Sequence, residues 1–547
     1  MGLLYKLKNS RANWKVKAVD RATGIRELRK ENNRLKQNLQ DQKKETIEIK
    51  AQLDALKRNQ IARVINNKAS LVYLALQLFF VASISFRAVS RVLSVISAAL
   101  GLRKAPSHQT IINWFTRLSI LKMQSVPLIQ SSTQRLFSNG FIWLVDISIG
   151  LGSGKILTVL ALDVEHHNLM PGAPTLKNAH CVGVSVAESW TGEDIAQFLK
   201  KIIGILGRPI AYLKDGGADL GKAARDLAEE GFASPCIDDI SHKIANLFKH
   251  EYENHPMFKI FLSACGKASK RLKQTILACL APPKISMKAR FMNLHRLVNW
   301  ADTILKHCVN ESNHKGSLSE KLQIALCDIP DCKEFIINFL RDTKPLMECQ
   351  KIIKNNGLNK NTYAQCQEII DVIPAASSIR IGFNQWANQQ LEIAETLGMN
   401  NIGLPVSTDQ IESLFGIGKH HGTAEIKDAD RIAMRLPALC GTFTLDDAEK
   451  ILNITVQQQT ELMSGTTLIK QRQQILNNPG TLETHIDRSK IKHVELIPIS
   501  KNREKSVITP CNIYEIKDFH GPISNDAPML PDPGSGEVRE IISSIIR

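Results

Sequence analysis

Three acids and one lysine have the types and spacing for divalent-metal phosphoryl chemistry. Asp146 closes the apolar run Trp143-Leu144-Val145, and Asp215 follows the run Ala211-Tyr212-Leu213. If these runs are neighbouring strands, both carboxylates emerge at one sheet edge, where two hard oxygen donors make a site for Mg2+. A third acid is needed to hold two such ions. The segment from Ser407 to Lys419 supplies Glu412 on a helix that begins after Pro405, with Ile411, Leu414 and Phe415 as its apolar face. Lys419 follows Glu412 by seven residues. Seven steps of about 100° return to nearly the same helix face. Carboxylate and ammonium therefore point the same way, a metal ligand beside a phosphate-gripping lysine.

Other residues compete for these roles. Asp409 and Glu425 are rivals of Glu412, while Asp238 and Asp239 follow a strand of their own. Asp163 and His166 end the second strand and either line the cleft or cap it. A lone strand-end Asp is more often structural than catalytic, and Asp215-Gly216-Gly217 also reads as a plain turn. His420 and His421 read as solvent-facing. The stretch from Gly150 to Lys155 superficially suggests a phosphate loop. It has three residues between its outer glycines, Ile156 after the lysine and a strand to follow. A P-loop needs four residues, then Ser or Thr, then a helix, so this is a hairpin turn.

The elements that must position these residues follow from pattern. Strands are expected at 141–145, 155–164, 179–187, 209–213 and 233–237. Helices are expected from Thr191 to about Leu206 and over 218–230. This β-β-β-α-β-α-β order is a mixed α/β domain. From Ser241 to about Met399 the pattern is helical, broken at Ala281-Pro282-Pro283 and Asn355-Asn356-Gly357. There Lys284, Lys288, Arg290 and Arg296 form a basic cluster that either grips DNA or is simply solvated, and Trp300 reads as core. Residues 430–476 are helical again, and the tail from Asn477, rich in Pro, Asn, Gly and Ser, reads as partly disordered.

The charge is unevenly spread. The chain of 547 residues carries +17, yet its first 145 residues carry +18, with no acid between 69 and 145. That end is built to meet a polyanion. Nucleic acid leads, because phosphate neutralisation dominates such binding; a membrane surface is the alternative. Apolar residues at 43 % exclude wholesale disorder. Residues 25–56 carry heptads with Ile25, Asn32, Leu39, Thr46 and Leu53 at a, and Leu28, Leu35, Gln42, Ile49 and Leu56 at d. They read as a dimerising coiled coil in which Asn32 sets register; a single helix packed on its own domain is the alternative. Residues 69–120 read as a helical DNA-binding unit. Leu71–Phe80 is a core helix, and Ser85 caps a helix over 86–93. A turn near Gly101 precedes a helix with Ile111, Trp114, Phe115 and Leu118 inside and Ser107, Gln109, Thr110 and Asn113 outward, placed to read bases. The eleven cysteines are odd in number and include no CxxC pair, which argues against a zinc finger and a disulfide framework. The uncharged run Ala69–Ser85, continuing to Phe86, reads as a buried helix and not a membrane span.

With these residues in view, the sequence resembles the DDE transposases of the RNase H-like superfamily. The spacing from Glu412 to Lys419 resembles the third motif of bacterial cut-and-paste insertion-sequence transposases. The matching stretches are about 141–165, 209–242 and 405–421. Positions seven and four before the glutamate carry Tyr and Arg in that group; here they are Pro405 and Thr408, so that phosphate contact must come from elsewhere. The resemblance implies an α/β RNase H-like catalytic domain with a large all-α insertion, plus an all-α N-terminal coiled coil and helix-turn-helix region. The expected division is a basic arm and coiled coil (1–60), the DNA-binding region (61–136), and the first part of the catalytic core (137–248). A helical insertion (249–404), the final core helix (405–425) and a C-terminal helical region with the tail (426–547) follow. Asp146, Asp215 and Glu412 would hold two Mg2+ ions, with Mn2+ able to substitute, and Lys419 would contact phosphate. The expected partners are double-stranded DNA, as transposon ends and target, and a second copy of the chain, with no membrane. The expected place is the bacterial cytoplasm, on DNA. The rival functions are an RNase H-like nuclease or resolvase that cuts without joining, and a DNA-binding regulator with no enzymatic activity.

Overall fold

The computed structural model describes residues 2–64, 67–102, 104–133, 140–149, 154–163, 173–284, 290–307, 315–420, 428–463, 477–478, 480 and 493–498. One helix, α1, runs unbroken over Gly2–Val64. Its seam residues Ile25, Leu28, Leu35 and Leu39 are all exposed, Leu28 by 72 %. Leu7, Trp14, Val16 and Val19 are exposed as well, so the described stretch of α1 presents apolar side chains to solvent.

Helices α2 (Lys68–Ala82), α3 (Phe86–Val95) and α4 (His108–Thr133) follow. The cap at Ser85 forms as expected, its Oγ accepting the Ala88 N–H at 3.2 Å. Phe79, Phe86 and Phe115 interlock in the core, the first two stacked at 4.3 Å. No helix among the described residues is long and apolar enough to cross a membrane. The base-reading expectation for α4 is narrowed. Gln109 is exposed, but Asn113 Oδ1 accepts from Gln109 and from Gln459 in the C-terminal region. Asn113 is thus committed within the protein.

A six-stranded sheet lies at the centre, in the order β5-β4-β1-β2-β3-β6. Its strands are β1 (Phe141–Ile149), β2 (Lys155–Asp163), β3 (Ala179–Ala187), β4 (Ala211–Lys214), β5 (Cys236–Asp238) and β6 (Glu495–Leu496). The first three form an antiparallel meander, and β4 and β5 continue from β1 in parallel. Ile149 pairs with Lys155, so the glycine-rich connection is a hairpin; its residues 150–153 lie outside the described set. Ile142 and Leu144 face one layer, and Phe141, Trp143 and Val145 face the other. Both sheet faces are covered, so the strand reads as a continuous apolar run. One cover is α5 (Gly192–Leu206) with α6 (Ala218–Glu229). Thr191 starts α5 with a reciprocal capping box to Asp194. The other cover begins with α7 (Ile240–Tyr252).

The helical part continues with α8 (Pro256–Lys273), α9 (Arg290–His307), α10 (Leu318–Leu326), α11 (Lys333–Asn356), α12 (Lys360–Ile370) and α13 (Ser378–Thr396). It shares the core that covers the sheet, so no solvent gap separates insertion from sheet. Trp300 is partly buried there, its indole N–H donating to the Leu280 carbonyl at 3.0 Å. Lys284 and Arg296 are exposed, while Lys288 and the Arg290 side chain lie outside the described residues. The chain returns through a paired bridge, Leu358 N–H to Leu404 O and Leu404 N–H to Leu358 O, both 2.8 Å. Gly357 (φ +71°) and Gly403 (φ +97°) flank it, and a Cβ on Gly357 would stand 2.6 Å from the Gly403 carbonyl carbon. Only glycine permits backbones that close.

After this return come α14 (Asp409–His420), α15 (Ala429–Ala433), α16 (Leu445–Lys450) and α17 (Val456–Met463). Within the tail expected to be partly disordered, β6 adds to the edge of β3. The α2–α4 region does not stand alone. Its core includes Ala438, Phe443, Ala448 and Ile451, and Phe443 stacks on Tyr73 at 5.3 Å. Residues 504–547 lie outside the described set.

Candidate active site

The parallel register of β1 and β4 decides the first two acids. Val145 pairs with Lys214, and the next residue of each chain is Asp146 and Asp215. The two carboxylates therefore stand side by side where β4 ends, but the strand end expected for Asp146 is corrected: β1 continues through Ile149 because Ile147, Ser148 and Ile149 still pair with β2, so Asp146 lies inside its strand and only Asp215 follows the end of one. Asp146 Oδ1 accepts the Ile147 N–H at 2.7 Å. Asp215 Oδ1 accepts the Gly217 N–H at 2.9 Å, at the turn that starts α6.

Glu412 approaches from across this edge. Ile411, Leu414 and Phe415 are buried and fix the face that α14 turns to the sheet. Glu412 Oε1 lies 3.4 Å from Nε2 of His242, one turn into α7. The opposite end of the same face carries Lys419, whose Nζ donates to Ser148 Oγ at 2.5 Å. Ser148 shares a face of β1 with Asp146. The separation of seven residues thus places Glu412 and Lys419 along one line above β1.

The charges feel one another. The Asp146 carboxyl is pushed up to about 7, first by burial, then by Asp215 and Glu412; the Ile147 N–H and His242 act the other way. His242 is raised to about 9, chiefly by its hydrogen bond to Glu412, with Asp239 and Asp215 adding and burial opposing. Three acids crowded against one imidazolium make a site with excess negative charge.

The rivals are accounted for. Asp409 is held by Lys354 of α11, with both oxygens 2.7 Å from Nζ. Asp238 pairs with Lys214 at 3.0 Å. Asp163 lies opposite Phe141, at the far end of β1 from Asp146, so it does not line the same cleft. Glu425, His166 and His421 lie outside the described residues, as does the His420 side chain. Asp239 proves structural. It is buried, accepts the His242 N–H at 2.8 Å, and takes the Thr408 N–H and hydroxyl at 2.7 and 2.9 Å. It ties the start of α7 to the start of α14. Thr408 is spent on that clamp and cannot stand in for an Arg that grips phosphate. His242 escaped the sequence reading; its only local signal was a histidine three residues after a capping aspartate.

Among the described residues no three His, Cys, Asp or Glu side chains converge tightly enough to hold an ion by themselves. Asp146 and Asp215 offer the hard oxygen pair that Mg2+ takes, since that ion commonly uses one or two carboxylates and completes its shell with waters and substrate phosphates. The donor set fits one such ion. Glu412, as placed, is committed to His242.

No protein-family model and no curated protein matches the chain. Among solved structures it is similar to a Drosophila P element transposase in its strand transfer complex, at 12 % identity and a TM-score of 0.35, over 68 % of this chain and 91 % of that one. A superposition at that score does not separate a shared fold from shared element types.

Proposed function

We propose that this chain is a DNA transposase of the DDE type, with an RNase H-like core, which cleaves transposon ends and joins the freed 3′ ends to target DNA. The observation that supports the reading is the parallel register that sets Asp146 beside Asp215, with the Asp146 carboxyl raised first by burial and then by Asp215 and, more weakly, Glu412. The N-terminal excess of positive charge supports duplex DNA as the partner. The exposed heptad stripe of α1 supports a homodimer.

In this reading Asp146 and Asp215 would hold a divalent cation against the scissile phosphate, where it would supply Lewis-acid neutralisation of the phosphoryl oxygens. His242 positions Glu412 and compensates its charge. Lys419, located by Ser148, contacts the phosphate backbone.

The test is cleavage and joining of DNA carrying the element's terminal repeats, with Mg2+. Asp146→Asn, Asp215→Asn and Glu412→Gln should each abolish both products while DNA binding persists. Lys419→Ala should retain part of the activity. Cleavage without joined products would favour a nuclease or resolvase. Tight binding with no Mg2+-dependent cleavage in the wild type would favour a regulator.

A further inference from the structure

Helix α1 is longer than its heptads require. It continues as one helix for a further 23 residues on the N-terminal side of Ile25. Carrying the same phase backwards puts Ala18, Arg11 and Leu4 at a, and Arg21, Trp14 and Leu7 at d. Two of these six seam positions are arginines, which in a closed parallel pair would face their own copies. Arg11 and Arg21 interrupt the apolar seam on the N-terminal side of Ile25. The residue at that point is Gly24, the weakest helix former present apart from proline. Two helices paired over 25–56 have reason to part there.

The part that diverges is cationic. Residues 7–24 carry Lys8, Arg11, Lys15, Lys17 and Arg21 against Asp20 alone. All of these cations are exposed, and among the described residues none is in a salt bridge. The apolar residues are divided between faces. Leu7 and Trp14 lie on one side and Val16 on the opposite side, at about 100° per residue. No single apolar face exists of the kind a helix needs to lie in a membrane surface. An exposed helix, about 10–12 Å across, with cations on two flanks fits the width of about 12 Å and the charge of a DNA major groove.

We propose that residues 7–24 are a duplex-DNA grip distinct from the α2–α4 region. Two copies, held by the coiled coil, fork at Gly24 and enter the duplex from either side, as basic helices continuous with a zipper do. The fork rests on the dimer of the preceding section, whereas the cationic contact itself does not.

The experiment uses the full chain and a random 30-bp duplex, with Lys8→Glu, Arg11→Glu and Lys15→Glu combined in one variant. Affinity is measured across a salt series, and mass by light scattering. The expected result is an unchanged mass, an affinity at least tenfold weaker, and a salt slope shallower by about three per chain. Neutral replacements of the same residues by Gln should weaken binding less. Wild-type affinity and slope in the charge-reversed variant would overturn the proposal. So would loss of binding to phosphatidylserine vesicles with duplex binding intact. A wild-type mass of one chain would overturn the fork and leave the slope to judge the grip.

Discussion

Asp146 and the imidazole of His242 are both raised in the fold, so both contributions are lost as pH rises, in different windows. Asp146 is raised from 3.8 to about 7 in the fold. The folded state therefore holds its proton more tightly than the unfolded chain, and stability falls as pH rises through that window. Without divalent cation, Asp146→Asn should be more stable than wild type near pH 8 by ~1–2 kcal/mol, allowing for solvent screening, and equal to it near pH 3. Mg2+ should raise the melting temperature of the wild type and leave that of the variant nearly unchanged, a readout independent of activity. His242 is raised from 6.5 to about 9. Its contribution is complete below about pH 6.5 and is lost as pH rises through about 9. His242→Gln should lower stability near pH 6 by ~1 kcal/mol, after discounting for its partial exposure, and by nothing near pH 10. A pH-independent difference would mean that the imidazolium–carboxylate pair is not what the variant removes. Asp239→Ala is a different case. It strips three hydrogen bonds from a buried clamp, so a loss of ~3 kcal/mol is expected in denaturant unfolding, together with loss of cleavage.

At the scale of elements, the placement of Glu412 depends on how the chain returns from the helical part. The Leu358–Leu404 bridge, the Ile240 N–H donating to the Val406 carbonyl at 2.9 Å, and the Asp239 clamp follow one another along this return. They deliver α14 to the edge of β1. Gly403→Ala would put a Cβ into the Asn356 carbonyl at a left-handed backbone position. The expected cost is ~3 kcal/mol in stability. Cleavage should fall further than stability alone explains, because the bridge that seats α14 is the part displaced. Full cleavage activity in a folded Gly403→Ala protein would show that α14 finds its place by other contacts.

At the scale of the whole molecule, the N-terminal helices and the C-terminal region share one core. Tyr73 and Phe80 both meet the Phe443 ring, at 5.3 and 5.6 Å. A fragment of residues 1–136 would uncover this surface, so DNA binding is best measured on the full chain. Phe443→Ala should cost ~3 kcal/mol and loosen α2–α4, seen as faster amide exchange there. Leu35→Glu with Leu39→Glu acts on a separate surface. It should reduce the mass by light scattering to one chain while leaving the melting of the sheet core unchanged.

The local features of this protein are legible in its sequence because their causes are local. Strands β1 to β3 are mostly apolar because both sheet faces are covered, and Ser85 and Thr191 mark helix starts through bonds to their own next turn. Asp215 follows the end of β4 and Asp146 lies inside β1, and their closeness follows once β1 and β4 are neighbours in parallel register. Other features required the assembled chain. The two-residue strand β6 is too short to carry a pattern and exists only because the β3 edge accepts it. His242, the commitment of Asp409 to Lys354 and the clamp role of Asp239 depend on α7, α11 and α14 meeting. Asp239 and Thr408 are 169 residues apart in sequence. Residue type and spacing determined which side chains could do the chemistry. Tertiary structure decided which carboxylates gather at the edge and which are consumed in holding it, because each choice depends on a partner from a distant element.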